Sequence, residues 1–508
     1  MWNGISTGPL GGRKGVATVE SSKGDEIVEG IRRQFAIELL SNDEIDTIHE
    51  ATLTLLERTG LRFDSEDAVR RLLAEGAILK PGSKDVVQFP RGMVEEAIGR
   101  IQRRHEFRAR DPGNDIVWDG EHMFAGSGGG NPDIVDLDTG TTRPSTLEDV
   151  AQMTRLLDAL GTCHMVSCQV MATDVDPRYM IVKTTEAMIK NSSKCMTGYA
   201  LDSETVDTLV RMWSCVAGGA EELRKRKMFA IYGSPSSPLT YDSSVCEVMI
   251  RAAEHGMPFD LVPCPMCGGT APVTLVGGLV QQNAELLAGL MLMQTVDDGL
   301  PMLYSGRLSM MDPRSGRNLW GVPEMTLVSV ASVQIAHRYN MMADIEGSTT
   351  DAPEWGVQVG IERMMTAVMA AISGADSLAG IGAAWETSAS MEMAVVDDEI
   401  LASAFRLLEG IGVDEGRLAT AVIDSVGPMG NFLTQRHTME YFRKGEVRVS
   451  PLLDKRTSER VRVEGFVPLR ERANETARRI LKEHVPTPLE RDVEREITAI
   501  VRDSCRVL

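Results

Sequence analysis

The sequence predicts an α/β protein built on a TIM-type (β/α)8 barrel, with an N-terminal helical and short-strand extension and a helical C-terminal extension. Three observations lead there. Apolar strand-like runs recur at 165–171, 194–199, 228–232, 259–262, 301–304, 341–345 and 377–381. Helical patterns separate them, at 181–190, 204–215, 244–255, 283–295, 323–339 and 357–373. Strands alternating with helices pair in parallel, because each crossover must return over the sheet. Glycine follows several strand ends, at Tyr232-Gly233, Ser305-Gly306, Glu346-Gly347 and Ile381-Gly382. In a barrel these ends converge on one mouth, where such folds carry their chemistry. An eighth strand is expected near 419–423. A doubly wound sheet is the alternative arrangement of the same units.

The remaining elements follow in order. Residues 1–40 read as a mobile arm, rich in Gly, Ser and Lys at its start. Residues 41–144 form a helical and short-strand region. Ser41 caps a first helix, with Asp43 and Glu44 in its first turn. Further helices are expected at 66–77 and 91–103, and short strands around Val117-Trp118, His122-Met123-Phe124 and Ile134–Leu137. The barrel is placed at 145–430. Residues 431–508 form a helical extension packed on it, with helices at 470–484 and after Pro486.

Composition removes several classes of function. The 508 residues carry 73 Asp and Glu against 53 Lys and Arg, a net charge of −20. Nucleic acid and anionic membrane both need basic patches, so neither is expected as a main partner. No run approaches 18 apolar residues, and the first residues lack the apolar core of a secretory signal. Eight scattered cysteines in so long a chain suit reduced thiols in a cytoplasm. Cys264-x-x-Cys267 has no second pair and sits among prolines, so it reads as loop structure rather than half a zinc site. Ser127-Gly128-Gly129-Gly130 lacks the Lys-Ser/Thr of a phosphate loop.

The stretch around which the chain is organised is Asp344-Ile345-Glu346-Gly347-Ser348-Thr349-Thr350-Asp351-Ala352-Pro353. A short apolar run ends there in acid, Gly and hydroxyl residues, and a helical pattern follows. Glu346 sits at the predicted strand end. Asp351 stands where it either caps a helix or binds a ligand.

A longer motif set carries a resemblance. Pro263-Cys264-Pro265-Met266-Cys267-Gly268-Gly269-Thr270-Ala271-Pro272 is followed by Gly277, Asn283-Ala284-Glu285 and Gly289. Gly321-Val322-Pro323-Glu324, Thr350-Asp351-Ala352, Ser373-Gly374-Ala375 and Gly430-Asn431-Phe432-Leu433 come next, with Asp138-Thr139-Gly140 and Asn191-Ser192-Ser193-Lys194 upstream. In this order the set resembles the corrinoid-dependent trimethylamine methyltransferase family over roughly 40–490. The resemblance implies a TIM barrel and a methyl acceptor, Co(I) of a corrinoid (cobalamin), carried by a separate cognate protein rather than by this chain. Archetypal members hold pyrrolysine before Thr-Asp-Ala, and Thr349 stands at that position here. The chain therefore resembles the branch without pyrrolysine, which implies a quaternary amine of the betaine type as methyl donor. Another O- or N-methyl donor, and a barrel that binds quaternary amines without transfer, are the alternatives.

That chemistry sets the residues to look for. Quaternary ammonium groups are held over aromatic faces. Tyr232, Tyr304 and Trp385 lie at or just beyond predicted strand ends, and Trp320, Trp355 and Phe432 on loops or helix starts. Core packing explains each of them equally well taken singly. Glu346, Thr349 and Asp351 complete the expected cation site. A betaine carboxylate needs a donor, for which Arg307, Arg314 and His337 are candidates. A quaternary amine leaves as a neutral amine, so no catalytic triad and no metal ligands are expected in this chain. A homo-oligomer is expected from the long terminal extensions.

Overall fold

The computed structural model describes residues 30–507. Among them, eight parallel strands close into a barrel: β1 (His122–Ser127), β2 (Met165–Ser167), β3 (Cys195–Gly198), β4 (Phe229–Gly233), β5 (Phe259–Leu261), β6 (Met302–Tyr304), β7 (Met342–Glu346) and β8 (Ser377–Ile381). Neighbours in sequence are neighbours in the sheet, and β8 pairs back on β1 at Ser377↔Phe124. A helix follows each strand: α1 (Leu147–Ala159), α2 (Met180–Asn191), α3 (Ser203–Ala217), α4 (Ser243–Glu254), α5 (Leu275–Gln294), α6 (Pro323–Arg338), α7 (Val357–Ile372) and α8 (Met391–Leu408). Hydroxyl and acidic caps start several of them. Thr146 and Asp149 form a capping box on α1, and Asp202 and Asp242 accept from the backbone of α3 and α4.

One strand differs from expectation. Residues 419–423 fall on a short helix, Thr420–Val426, and the eighth strand is β1, near the other end of the chain. The strand-like run His122–Phe124, which the sequence places in the N-terminal region, is part of this strand. Pairing decides the matter: β1 is flanked by both β2 and β8, through Met165↔Gly126 and Ser377↔Phe124. The barrel elements thus run from 122 to 408, not from 145 to 430.

Strand parity sorts side chains between the barrel interior and the surrounding helices. The lower interior is filled by Phe124, Met165, Cys195, Ala230, Leu303 and Met342. Two paired strands, His105–Phe107 and Ile116–Trp118, floor it, with Phe107, Ile116 and Trp118 buried in the same cluster. With the floor packed, the barrel interior is open at its C-terminal mouth.

The extensions pack around this core. The helix Asn42–Arg58, with its Ser41–Glu44 capping box, lies on α5, which is buried along most of its length. The expectation of a mobile arm at 1–40 lies mostly outside the described residues. Its last part is docked instead: Ile31–Arg32 pairs antiparallel with β1, and Arg33 donates to the Ala375 carbonyl at 2.6 Å. The helix Leu469–Glu483 packs along α8 and α1, and Arg491–Val507 along α2 and α3. Between them the short helices of 409–466 leave Ile411, Val413, Met429, Phe442, Val463 and Phe466 exposed. Among the described residues, no helix is long and apolar enough to cross a membrane.

Candidate active site at the barrel mouth

Above the apolar floor, the inward positions of the strands turn polar and enclose a cavity of about 310 Å³. Ser167, Thr197, Tyr232, Asp260, Asp344, Glu346 and Ser377 line it from the strands, and Arg307, Trp320, Thr349 and Glu386 from the loops above. Asp344 and Glu346 are two residues apart on β7, so both point inward. Tyr232 pairs with Asp260 across β4 and β5, and Asp260 with Leu303 across β5 and β6, which sets these positions in one row.

Charge is the dominant feature. Arg307, buried, reaches Glu346 with Nε at 2.8 Å, donates to the Asp344 carbonyl at 2.7 Å, and pairs with the Asp344 carboxylate. Ser305 donates its hydroxyl to Asp260. Burial, and then the nearby Asp344 charge, push the Asp260 carboxyl up to about 7. Burial raises Glu346 as well, against the pull of Arg307. Three carboxylates thus share one guanidinium. The cavity lacks at least one positive charge, which a monovalent cation of matching size would supply. The Tyr232 phenol is pushed well above its ordinary value by burial, so it stays neutral. The Cys264 thiol is exposed where it lines the cavity.

The loops that complete the cavity are fixed by hydrogen bonds. Thr349 donates its hydroxyl to the Trp320 carbonyl at 2.7 Å. Asp351 accepts from the Trp320 and Gly321 amides at 2.8 and 2.7 Å. Ser348 turns the chain at the end of β7 with φ of 52°, a left-handed conformation uncommon for serine. Buried Arg363 of α7 holds that elbow, donating to the Ser348 carbonyl and to Asp397 of α8 at 2.7 Å.

Five of the twelve residues named from sequence meet here: Tyr232, Glu346, Thr349, Trp320 and Arg307. The other seven, Trp355 among them, do not line the cavity. Tyr304 faces outward and donates to Asn283 on α5 at 3.2 Å, because its neighbour Leu303 takes the inward position. His337 sits at the C-terminal end of α6 and pairs with Asp376 at 2.9 Å, at the opposite end of the barrel. Phe432 lies exposed on the segment beyond α8. Trp385 bonds Thr142 at 3.2 Å. Asp351 neither caps α7, whose N-cap is Gly356, nor lines the cavity; it fixes the Trp320 loop. Arg307 has the right place but not the expected role, since its guanidinium is engaged by Asp344 and Glu346. Arg314 points to solvent beside Asp312. Asp260, Asp344 and Glu386 were missed. An acid inside an apolar strand run was the available signal for the first two.

A closed parallel barrel whose mouth gathers Asp260, Asp344, Glu346 and Arg307 beside Tyr232 and Trp320 presents a candidate small-molecule site. The sequence profile described as trimethylamine methyltransferase (MTTB) matches residues 10–504. The chain belongs to that family and is a methyltransferase. It is 30% identical over 472 residues to a trimethylamine methyltransferase, MttB, of Desulfitobacterium hafniense strain DSM 10664 / DCB-2, covering 92% of this chain and 94% of the relative. It is 30% identical over 470 residues to a glycine betaine methyltransferase of D. hafniense strain Y51, covering 91% and 96%. A crystal structure of the Methanosarcina barkeri monomethylamine methyltransferase (MtmB) aligns with a TM-score of 0.47 and 12% identity over 90% of each chain.

Proposed function

We propose that this protein moves a methyl group from a quaternary amine of the betaine type to Co(I) of a corrinoid carried by a separate protein. The observation that carries the reading is the charge balance of the mouth, where Asp260, Asp344 and Glu346 surround the single guanidinium of Arg307. A quaternary ammonium fits that deficit. Tyr232 and Trp320 supply aromatic faces for its methyl groups.

The reduced cobalt supplies the electron pair for the new bond to carbon. The C–N pair stays on nitrogen, which leaves as a neutral amine, and no proton moves. The protein's task is then to hold the cation, aim one methyl outward and exclude water. Thr349, at the position that the resemblance assigns to pyrrolysine, spends its hydroxyl on Trp320 and offers the amine no reactive group. The corrinoid partner must dock over the mouth, since a methyl cation cannot cross water free.

The test is methyl transfer from a panel of quaternary amines to Co(I) cobalamin or to the corrinoid protein. Tight binding without transfer would instead support a barrel that only binds. Self-association is supported by the apolar residues exposed along 411–466. Sedimentation velocity on the intact protein is expected to give a dimer or larger. A sharp monomer at all concentrations would contradict this.

A further inference from the structure

A second cavity, of about 430 Å³, lies behind the first. The two share Tyr232 and Gly129. This chamber is outside the strands, between β4 and β5 and the first turns of α4. Its walls are Tyr199, Leu201, Val245, Val248 and Phe259, and its polar side chains are the hydroxyls of Ser234, Ser244 and the two tyrosines. No charged side chain lines it. Leu201, half exposed, marks its outer opening.

The Tyr232 ring is the partition. On its far side the Tyr199 ring stands 5.6 Å away, centroid to centroid. Its hydroxyl rests against Gly129: a Cβ there would stand 2.9 Å from Tyr232 Oη and 3.2 Å from the Cys168 carbonyl. The missing side chain lets the Tyr232 hydroxyl sit against the backbone where the two cavities meet. Gly233 likewise leaves room for the Phe259 ring, which a Cβ would meet at 3.0 Å.

We propose that this chamber houses the tail of the methyl donor, an apolar or hydroxylated chain that trails from the quaternary nitrogen past Tyr232 and carries any carboxylate at its far end. The proposal rests on the acidic cavity being the ammonium site. It adds a specificity: donors with long tails are preferred to those whose substituent ends close to the nitrogen. A carboxylate one carbon from nitrogen would fall beside Asp260, Asp344 and Glu346, with Arg307 already paired. A carboxylate at the end of a long tail would reach water beyond Leu201.

The test uses calorimetric binding of tetramethylammonium and of n-alkyltrimethylammonium ions from ethyl to hexyl, without cobalt. Affinity is expected to rise on the order of threefold per added methylene until the chamber is filled. In Val248→Trp, which fills the chamber from α4, that rise should flatten. The thermal midpoint of the variant reports whether it is folded, and the wild-type series stands without it. Affinity that stays level or falls with chain length while tetramethylammonium binds would overturn the tail chamber and leave the ammonium site standing. Failure of every ion to bind would overturn both. Binding that climbs with length, beside a separate assay in which the same ions give no methyl transfer to Co(I) cobalamin, would support the chamber and count against the proposed reaction.

Discussion

Replacing Arg307 by methionine is expected to destabilise the protein by about 3–5 kcal/mol, the usual cost of breaking a buried ion pair by removing one partner. Arg307 is buried, and its guanidinium is the positive centre among Asp260, Asp344 and Glu346. Without it three carboxylates face one another in a closed barrel end. Asp260 loses the charge that lowers its pKa and should hold its proton to higher pH. Denaturant unfolding at neutral pH measures the loss. Adding Asp344→Asn should recover part of it, since one of the stranded charges is then gone. Destabilisation below about 1 kcal/mol would mean that water, not Arg307, balances these acids.

Glu346→Gln should weaken binding of a quaternary amine by about 2 kcal/mol, on the order of thirtyfold, the lower end for removing one partner of a desolvated charge pair. The side chain keeps its size, and Arg307 keeps Asp344, so folding should be little affected. Asp260 makes the same attraction depend on pH. Its carboxyl titrates at about 7, so the cavity gains a negative charge as pH rises through that value. Cation affinity should therefore be higher at pH 8 than at pH 6, and Asp260→Asn should abolish the difference. Stability moves the other way. The folded state keeps a proton that the unfolded chain has released between about 4 and about 7, so the contribution of Asp260 falls as pH rises across that window. Calorimetry on the three proteins at both pH values decides this. A pH-independent affinity in the wild type would sink the electrostatic account of the site.

The sequence revealed the barrel through its apolar runs because most of its strands are short, buried and bounded by glycine or turns. Helix limits were also legible, since Ser41 and Pro323 mark starts that the structure keeps. β1 was not, because several short strands belonging to different sheets follow one another between Phe107 and Arg143. Nothing local says which of them the barrel recruits; only pairing with β2 and β8 does. Within the site, the hidden quantity was register. Tyr304 and Tyr232 look alike at predicted strand ends, yet one faces α5 and the other the cavity. Strand register determines that: Tyr304 pairs with outward Ala343, while inward Leu303 pairs with Met342. A slip of one residue reverses every face. Asp260 and Asp344 were visible as acids in apolar strands, but their convergence on Arg307 joins residues 37 to 84 positions apart and needs the closed sheet.

The most direct measurement mixes the purified protein with electrochemically reduced Co(I) cobalamin, or a candidate corrinoid protein, and a panel of quaternary amines, and follows the visible spectrum. The account predicts that the Co(I) band gives way to methylcobalamin with at least one quaternary amine and not with trimethylamine. Transfer from trimethylamine alone, or from none of the panel with either acceptor, would contradict it.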